Sequence, residues 1–293
     1  MLNCEPVDVA LDIKADLGEG PVWDDRTRHL VWVDIMAGRV NLFDPLTGSN
    51  HVFETGTPVG AATLCESGAL LLAIQDGFAQ LDPATGAVAP FAGFPDASPD
   101  VRMNDAKCDP QGRLWAGTMA FDMHPAGGAL YRLDPDSSIA AILPSVTISN
   151  GIDWSLDGLT MYYVDTPTLR VDCFDFHPAS GAISNRRPFV EIEQPGAYPD
   201  GLTIDAQGNL WLALWGGWGV GCYSPQGELI AKVDVPASQT TSCAFGGENL
   251  DDLYITSART GLSAGDLAQQ PLAGSLFRVR PGVKGRPANR FAL

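Results

Sequence analysis

Hydrophobic positions along this chain come in short blocks rather than helical stripes. "LVWVDI", "LLLAI", "LWAGT", "MYYVD" and "LWLAL" are apolar on both faces, the pattern of strands in sheets sandwiched between other sheets. Between the blocks stand Gly, Pro and Asp-Gly punctuation, with 32 glycines and 22 prolines spread through the chain, and 3.6-residue periodicity is scarce. The pattern predicts an all-β protein.

The blocks belong to a repeat. A turn-like "DP.TG" phrase recurs six times: "FDPLTGSN", "LDPATGAV", "LDPDSS", "FDFHPASGAI", "YSPQGELI" and, degraded, "VRPGVKG". Between 21 and 37 residues ahead of each lies a second phrase, headed by Glu19, Gly60, Asn104, Asn150, Asp200 and Ser242, and these heads are 41, 44, 46, 50 and 42 residues apart. A period in the forties with several strands per unit predicts four-stranded propeller blades, with a solenoid of stacked β-units as the rival. The strand-like "VDVALDI" at Val7 precedes the first repeat. It is expected to supply the outer strand of the sixth blade, which closes the ring and removes an exposed edge. The expected fold is a six-bladed β-propeller of four-stranded blades forming a single domain, residues 1–293.

Composition narrows the partners. The 293 residues are 45% hydrophobic, enough for a large core. Thirty-five acids against 18 bases give a net charge of −17, which repels phosphate backbones and anionic lipid, so neither nucleic acid nor membrane is an expected partner. No apolar stretch reaches 18 residues, and the opening "MLNCEP" lacks the pattern of a secretory leader, so the expectation is a cytoplasmic protein, and a monomer, as closed propellers often are. Six scattered cysteines without a CxxC pair read as reduced core residues.

In a propeller the first strand of every blade runs beside the central channel, so the six heads form a ring. Asp, Asn and Ser at strand starts are also common turn formers. Here, however, the heads differ from blade to blade, which points to division of labour. One Glu, one Asp and two Asn offer oxygen donors and neither thiolate nor imidazole, a set that suits Ca²⁺, Mg²⁺ or Mn²⁺, with Fe²⁺ or Zn²⁺ also possible. Arg102 lies two residues before Asn104 and projects to the same side. Two long loops, "MAFDMHPAGGA" from Met119 and "ARTGLSAGDLAQQPLAG" from Ala258, are expected to overhang the channel mouth, with Trp215 and Trp218 as candidate stacking surfaces.

Four ordered motifs, "LGEGPVW", "RMNDAKCDPQGRLWAGTM", "SNGIDWSLDG" and "YPDGLTIDAQGNLWLALWGG", spread over nearly the whole chain, resemble those of the regucalcin (senescence marker protein), gluconolactonase and luciferin-regenerating-enzyme family. The resemblance implies a propeller that hydrolyses sugar lactones with one divalent metal. It implies Glu19, Asn150 and Asp200 as metal ligands and Arg102 and Asn104 as substrate contacts. Several relatives carry an acid directly after "GTMA"; here Phe121 stands in that place and Asp122, next along, is the candidate contact. Asp200, as ligand or close neighbour, is the candidate catalytic base. No GxSxG elbow appears, and His29, His51, His124 and His177 share no repeat position, although His124 lies in the blade-three loop. The alternatives are a metal-dependent arylesterase or phosphotriesterase on the same fold, and a non-enzymatic calcium-binding propeller.

Overall fold

The computed structural model describes residues 4–94 and 97–293. Met1–Asn3 of the opening segment lie outside them. Six four-stranded antiparallel sheets surround a central channel. Five of them are built from consecutive strands, with inner strands Gly18–Asp24, Val59–Leu64, Val101–Cys108, Ser149–Trp154 and Tyr198–Ile204. The sixth runs from Thr240–Gly246 outward through Asp252–Ser257 and Leu276–Val279, and Asp8–Leu11 adds the outer edge. That N-terminal strand pairs antiparallel with Leu276–Val279, so the two ends of the chain close the ring as the unpartnered apolar segment predicts.

The doubly apolar blocks are the second strands. Leu70–Ile74, Leu114–Ala120 and Leu210–Trp215 are buried almost throughout, because each blade lies between two others, whereas outermost strands such as Val88–Gly93 are largely exposed. Blades three and four meet through Trp115, Trp154 and Phe176, packed edge to face at about 5.9 Å between ring centroids.

The recurring phrase "D.QG.LW" has a physical reason. Asp109 accepts from the Gln111 and Arg113 backbone N–H groups at 2.9 and 3.1 Å, from Arg113 Nε at 2.6 Å and from Trp115 Nε1 at 3.0 Å. Asp205 does the same with Gln207, Asn209 and Trp211. One buried carboxylate therefore closes the hairpin between first and second strands and anchors the tryptophan that fills the gap to the next blade. The "DP.TG" phrase closes the third-to-fourth hairpin, where Asp44 and Asp82 accept from the backbone and the threonine hydroxyl of their own turns.

The C-terminal segment crosses the lower end of the channel. Phe291 N–H donates to Leu64 O, Ala292 N–H to Gly112 O, and Ala206 N–H to Lys284 O, so the strap is tied to blades two, three and five. Arg286 reaches up from it to the buried Asp153, which also accepts from Lys107 Nζ at 3.0 Å. All six cysteines are free. Among the described residues no helix is long and apolar enough to cross a membrane.

Candidate functional site

In all six inner strands the ladder to the second strand slips near its start, where the inner strand carries one extra residue. The slips fall after Glu19, Val59, Met103, Ser149, Pro199 and Thr240, at or beside the head of each repeated phrase. A bulge re-aims side chains, and six at one level turn them toward the axis. Blades one and six depart from the others: in blade one the slip follows the head Glu19 instead of preceding it, and in blade six it sets Thr241, not Ser242, level with Asp200, while Ser242 lines the lower channel. The ring is tight enough to dictate glycines. A Cβ on Gly60 would lie 2.3 Å from Asn104 O, and one on Gly151 would lie 2.5 Å from Asp200 O.

Glu19, Arg102, Asn104, Asn150 and Asp200 are all buried and line the floor of one cavity of about 560 Å³ at the upper mouth. Glu19 Oε2 accepts from Gly20 N–H at 2.9 Å. Asp200 lies within hydrogen-bonding reach of both Glu19 and Asn150. The Asn150 amide donates to Thr166 Oγ1 at 3.1 Å, which turns its carbonyl oxygen inward. Arg102 Nη1 donates to Met103 O at 3.0 Å and to Asn104 Oδ1 at 2.7 Å, and Asn104 Nδ2 donates to Ser149 O at 2.8 Å.

Burial, reinforced by the charge of Asp105 one level below, lifts the Glu19 carboxyl well above its ordinary range. Burial, then the charges of Glu19 and Asp105, lifts Asp200 likewise. Burial brings Arg102 down to about 10 against the pull of those two carboxylates, which leaves it cationic at neutral pH. Only with both carboxyls ionised would the floor carry more negative charge than its one guanidinium balances, the state a bound cation favours.

Two buried oxygens there, Asn150 Oδ1 and Asp200 Oδ1, have no hydrogen-bond partner. Unpaired buried acceptors beside a second carboxylate fit a hard cation, which binds oxygen donors alone. Among the described residues no three His, Cys, Asp or Glu side chains converge as a metal cluster; here an amide oxygen would complete a pair of carboxylates.

A second tier stands above the floor. Leu17, Ile148, Tyr198 and Gln239 line the same cavity, each two residues ahead of its blade's ring position, as Arg102 is ahead of Asn104. Extending the two-residue step from Arg102 would have found Leu17, Ile148 and Tyr198 in the sequence, but from the head Ser242 it gives Thr240 in place of Gln239. Both long loops reach the mouth, through Phe121 and Met123 in blade three and Thr260 and Gly261 in blade six, and Trp215 joins them, whereas Trp218 does not line the cavity. Nor does the fold bring in the candidate contact Asp122. Its exposed carboxylate accepts from the His124 backbone N–H at 3.2 Å and pairs with His124 Nδ1 at 2.6 Å, and neither residue lines the cavity.

Residues 17–259, from the second tier of blade one to the strand ends of blade six, match the SMP-30/Gluconolactonase/LRE-like region. The chain belongs to this family. Within it, the chain is 39% identical over 282 residues to the YvrE protein of Bacillus subtilis (strain 168), whose name describes it as a candidate sugar lactone lactonase, covering 96% of this chain and 97% of that one. Regucalcin of Danio rerio is 39% identical over 285 residues, 96% of each chain. The solved structure of regucalcin from Agrobacterium tumefaciens, described as a calcium-binding protein, superposes with a TM-score of 0.93 at 29% identity and 97% coverage of both chains. Membership bears out the resemblance read from the four motifs, and the six blades bear out the fold.

Proposed function

We propose that the protein hydrolyses sugar lactones to the corresponding sugar acids, with one divalent cation held by Glu19, Asn150 and Asp200. What supports this most directly is the pair of unpartnered buried oxygens, Asn150 Oδ1 and Asp200 Oδ1, on the floor of a cavity of ordinary small-ligand size. The family's gluconolactonase name and the relative from Bacillus subtilis favour the same substrate class. The cation, Ca²⁺, Mg²⁺, Mn²⁺, Fe²⁺ or Zn²⁺, supplies Lewis-acid polarisation of the lactone carbonyl when bound.

The chain's own residues account for the remaining steps. Arg102 has spent only Nη1 on protein partners, so its other N–H groups, with the Asn104 amide, donate to the oxyanion that develops on the carbonyl. Asp200, through the carboxylate oxygen not committed to the cation, accepts the proton of the attacking water. The ring C–O bond then breaks and the proton passes to the departing alkoxide, giving a hydroxy acid. Gln239 Oε1, buried in the wall without a partner, accepts from a ring hydroxyl. A cytoplasmic monomer of one domain acting on a small molecule fits this reading.

The calcium-binding description of the relative from Agrobacterium favours a second reading, cation binding without turnover. No histidine lines the cavity among the described residues, which disfavours the arylesterase or phosphotriesterase alternative. Acid release from a panel of aldonolactones, with chelator and with each cation restored, separates these readings. Undiminished turnover in Asp200→Ala would refute the assigned base.

A further inference from the structure

Resting on the lactonase reading above, we propose that the preferred substrate is a deoxy sugar lactone, one whose exocyclic carbon is a methyl group rather than hydroxymethyl. The cavity is sorted by depth. Its polar groups gather on the floor, where the carbonyl must sit between Arg102, Asn104 and Asp200. A lactone held by its carbonyl there points its far end up at the rim, and the rim is apolar. Met36, Phe121, Met123 and Tyr198 line it at 42, 38, 57 and 44% exposure. Large apolar side chains left in water around one mouth mark a surface that something apolar covers.

Of the polar side chains of the wall, Thr166 and Gln239 are already accounted for, and Thr260 and the Tyr198 hydroxyl belong to blades six and five, away from Phe121 and Met123 of blade three. Thr166 Oγ1 donates to Pro199 O at 2.9 Å and accepts from Asn150, and Gln239 Oε1 serves one hydroxyl on the ring itself. Asp122, the nearest acid to the rim in sequence, turns outward to His124. A terminal hydroxyl against Phe121 and Met123 would give up its hydrogen bonds to water and find no replacement there, whereas a methyl gains burial. The methionines add adaptable apolar surface that accepts a small group without demanding one exact shape.

The test compares lactones matched in every centre but the last carbon: mannono- against rhamnono-1,4-lactone, galactono- against fuconolactone, and glucono- against 6-deoxygluconolactone. For the configuration that is turned over, the methyl member should be favoured about tenfold or more in kcat/KM, the size of a one-group discrimination in an apolar pocket. In Phe121→Gln the preference should fall to within about twofold, while calcium titration reports that the variant is folded. If the hydroxymethyl member is opened as fast or faster, or if Phe121→Gln keeps the preference, the inference is overturned and the lactonase reading stands. If no member of any pair is opened with any cation, the lactonase reading itself falls, and this inference with it.

Discussion

Arg102 donates to Asn104 Oδ1 at 2.7 Å, and the Asn104 amide passes the connection on to Ser149 O in the next blade at 2.8 Å. The guanidinium is therefore aimed by the asparagine, and the asparagine by the neighbouring blade. Arg102→Ala and Asn104→Ala should each lower kcat/KM for an aldonolactone by roughly a hundredfold, the usual cost of one oxyanion donor. Because each holds the other, the double variant should lose little more than either single one. A double-mutant cycle in kcat/KM checks this; two losses that multiply would show the residues to act independently.

Divalent cation should matter most to stability at the alkaline end. Burial, with the charge of Asp105 acting on Glu19 and those of Glu19 and Asp105 acting on Asp200, raises both carboxyls in the folded protein, so between the unfolded value of about 4 and the raised folded values the native state binds more protons than the unfolded one. Stability of the cation-free protein then falls as pH rises through that window. Melting in chelator from pH 5 to 8 should show the decline, and calcium should raise the midpoint more at pH 8 than at pH 5, since it binds the deprotonated pair. A calcium effect equal at both pH values would place the cation elsewhere.

Asp205 tests the repeated hairpin separately from the chemistry. It is fully buried and serves four donors from Gln207, Asn209 and Trp211, so Asp205→Ala leaves several buried N–H groups unpaired. The expected cost is about 3 kcal/mol in denaturant unfolding. Under conditions where the variant is still folded, its KM for lactone should match that of the parent, because the hairpin lies at the opposite end of the blade from the cavity. A KM shift beyond about threefold would mean that the hairpin also shapes the floor.

Much of the ring was legible because the chain states it six times. Period and strand-like blocks identify the blades, and unlike heads on a like phrase identify Glu19, Asn104, Asn150 and Asp200. The one-residue slip of blade six was not legible, since a bulge is a property of the ladder and "TTSC" offers Thr241 and Ser242 as equal candidates. Nor was the turn beyond Ala120, where the backbone leaves the strand, Met123 adopts a left-handed φ of 57°, and simple alternation no longer says which of Phe121 and Asp122 faces inward. The C-terminal strap has no apolar period at all. It is positioned by backbone hydrogen bonds to loops and strand ends of distant blades, and by Arg286, whose partner lies 133 residues away.

That pairing carries the last prediction. Asp153 is buried, which by itself pushes its carboxyl up, but the charges of Arg286 and Lys107 outweigh burial and hold it below the ordinary carboxylate range. A carboxyl depressed in the folded state contributes stability above its unfolded value near pH 4 and loses it as the pH falls through the folded value. Arg286→Ala removes the larger of the two opposing charges and one of the ties that hold the strap to the channel. The cost at pH 7 should be about 3 kcal/mol, the low end for breaking a buried pair, because Lys107 still faces the carboxylate. As Asp153 becomes protonated in both proteins, the difference between parent and variant should shrink toward pH 3. Urea unfolding of both proteins at a series of pH values measures it, and a deficit that stayed constant with pH would assign Arg286 a packing role instead.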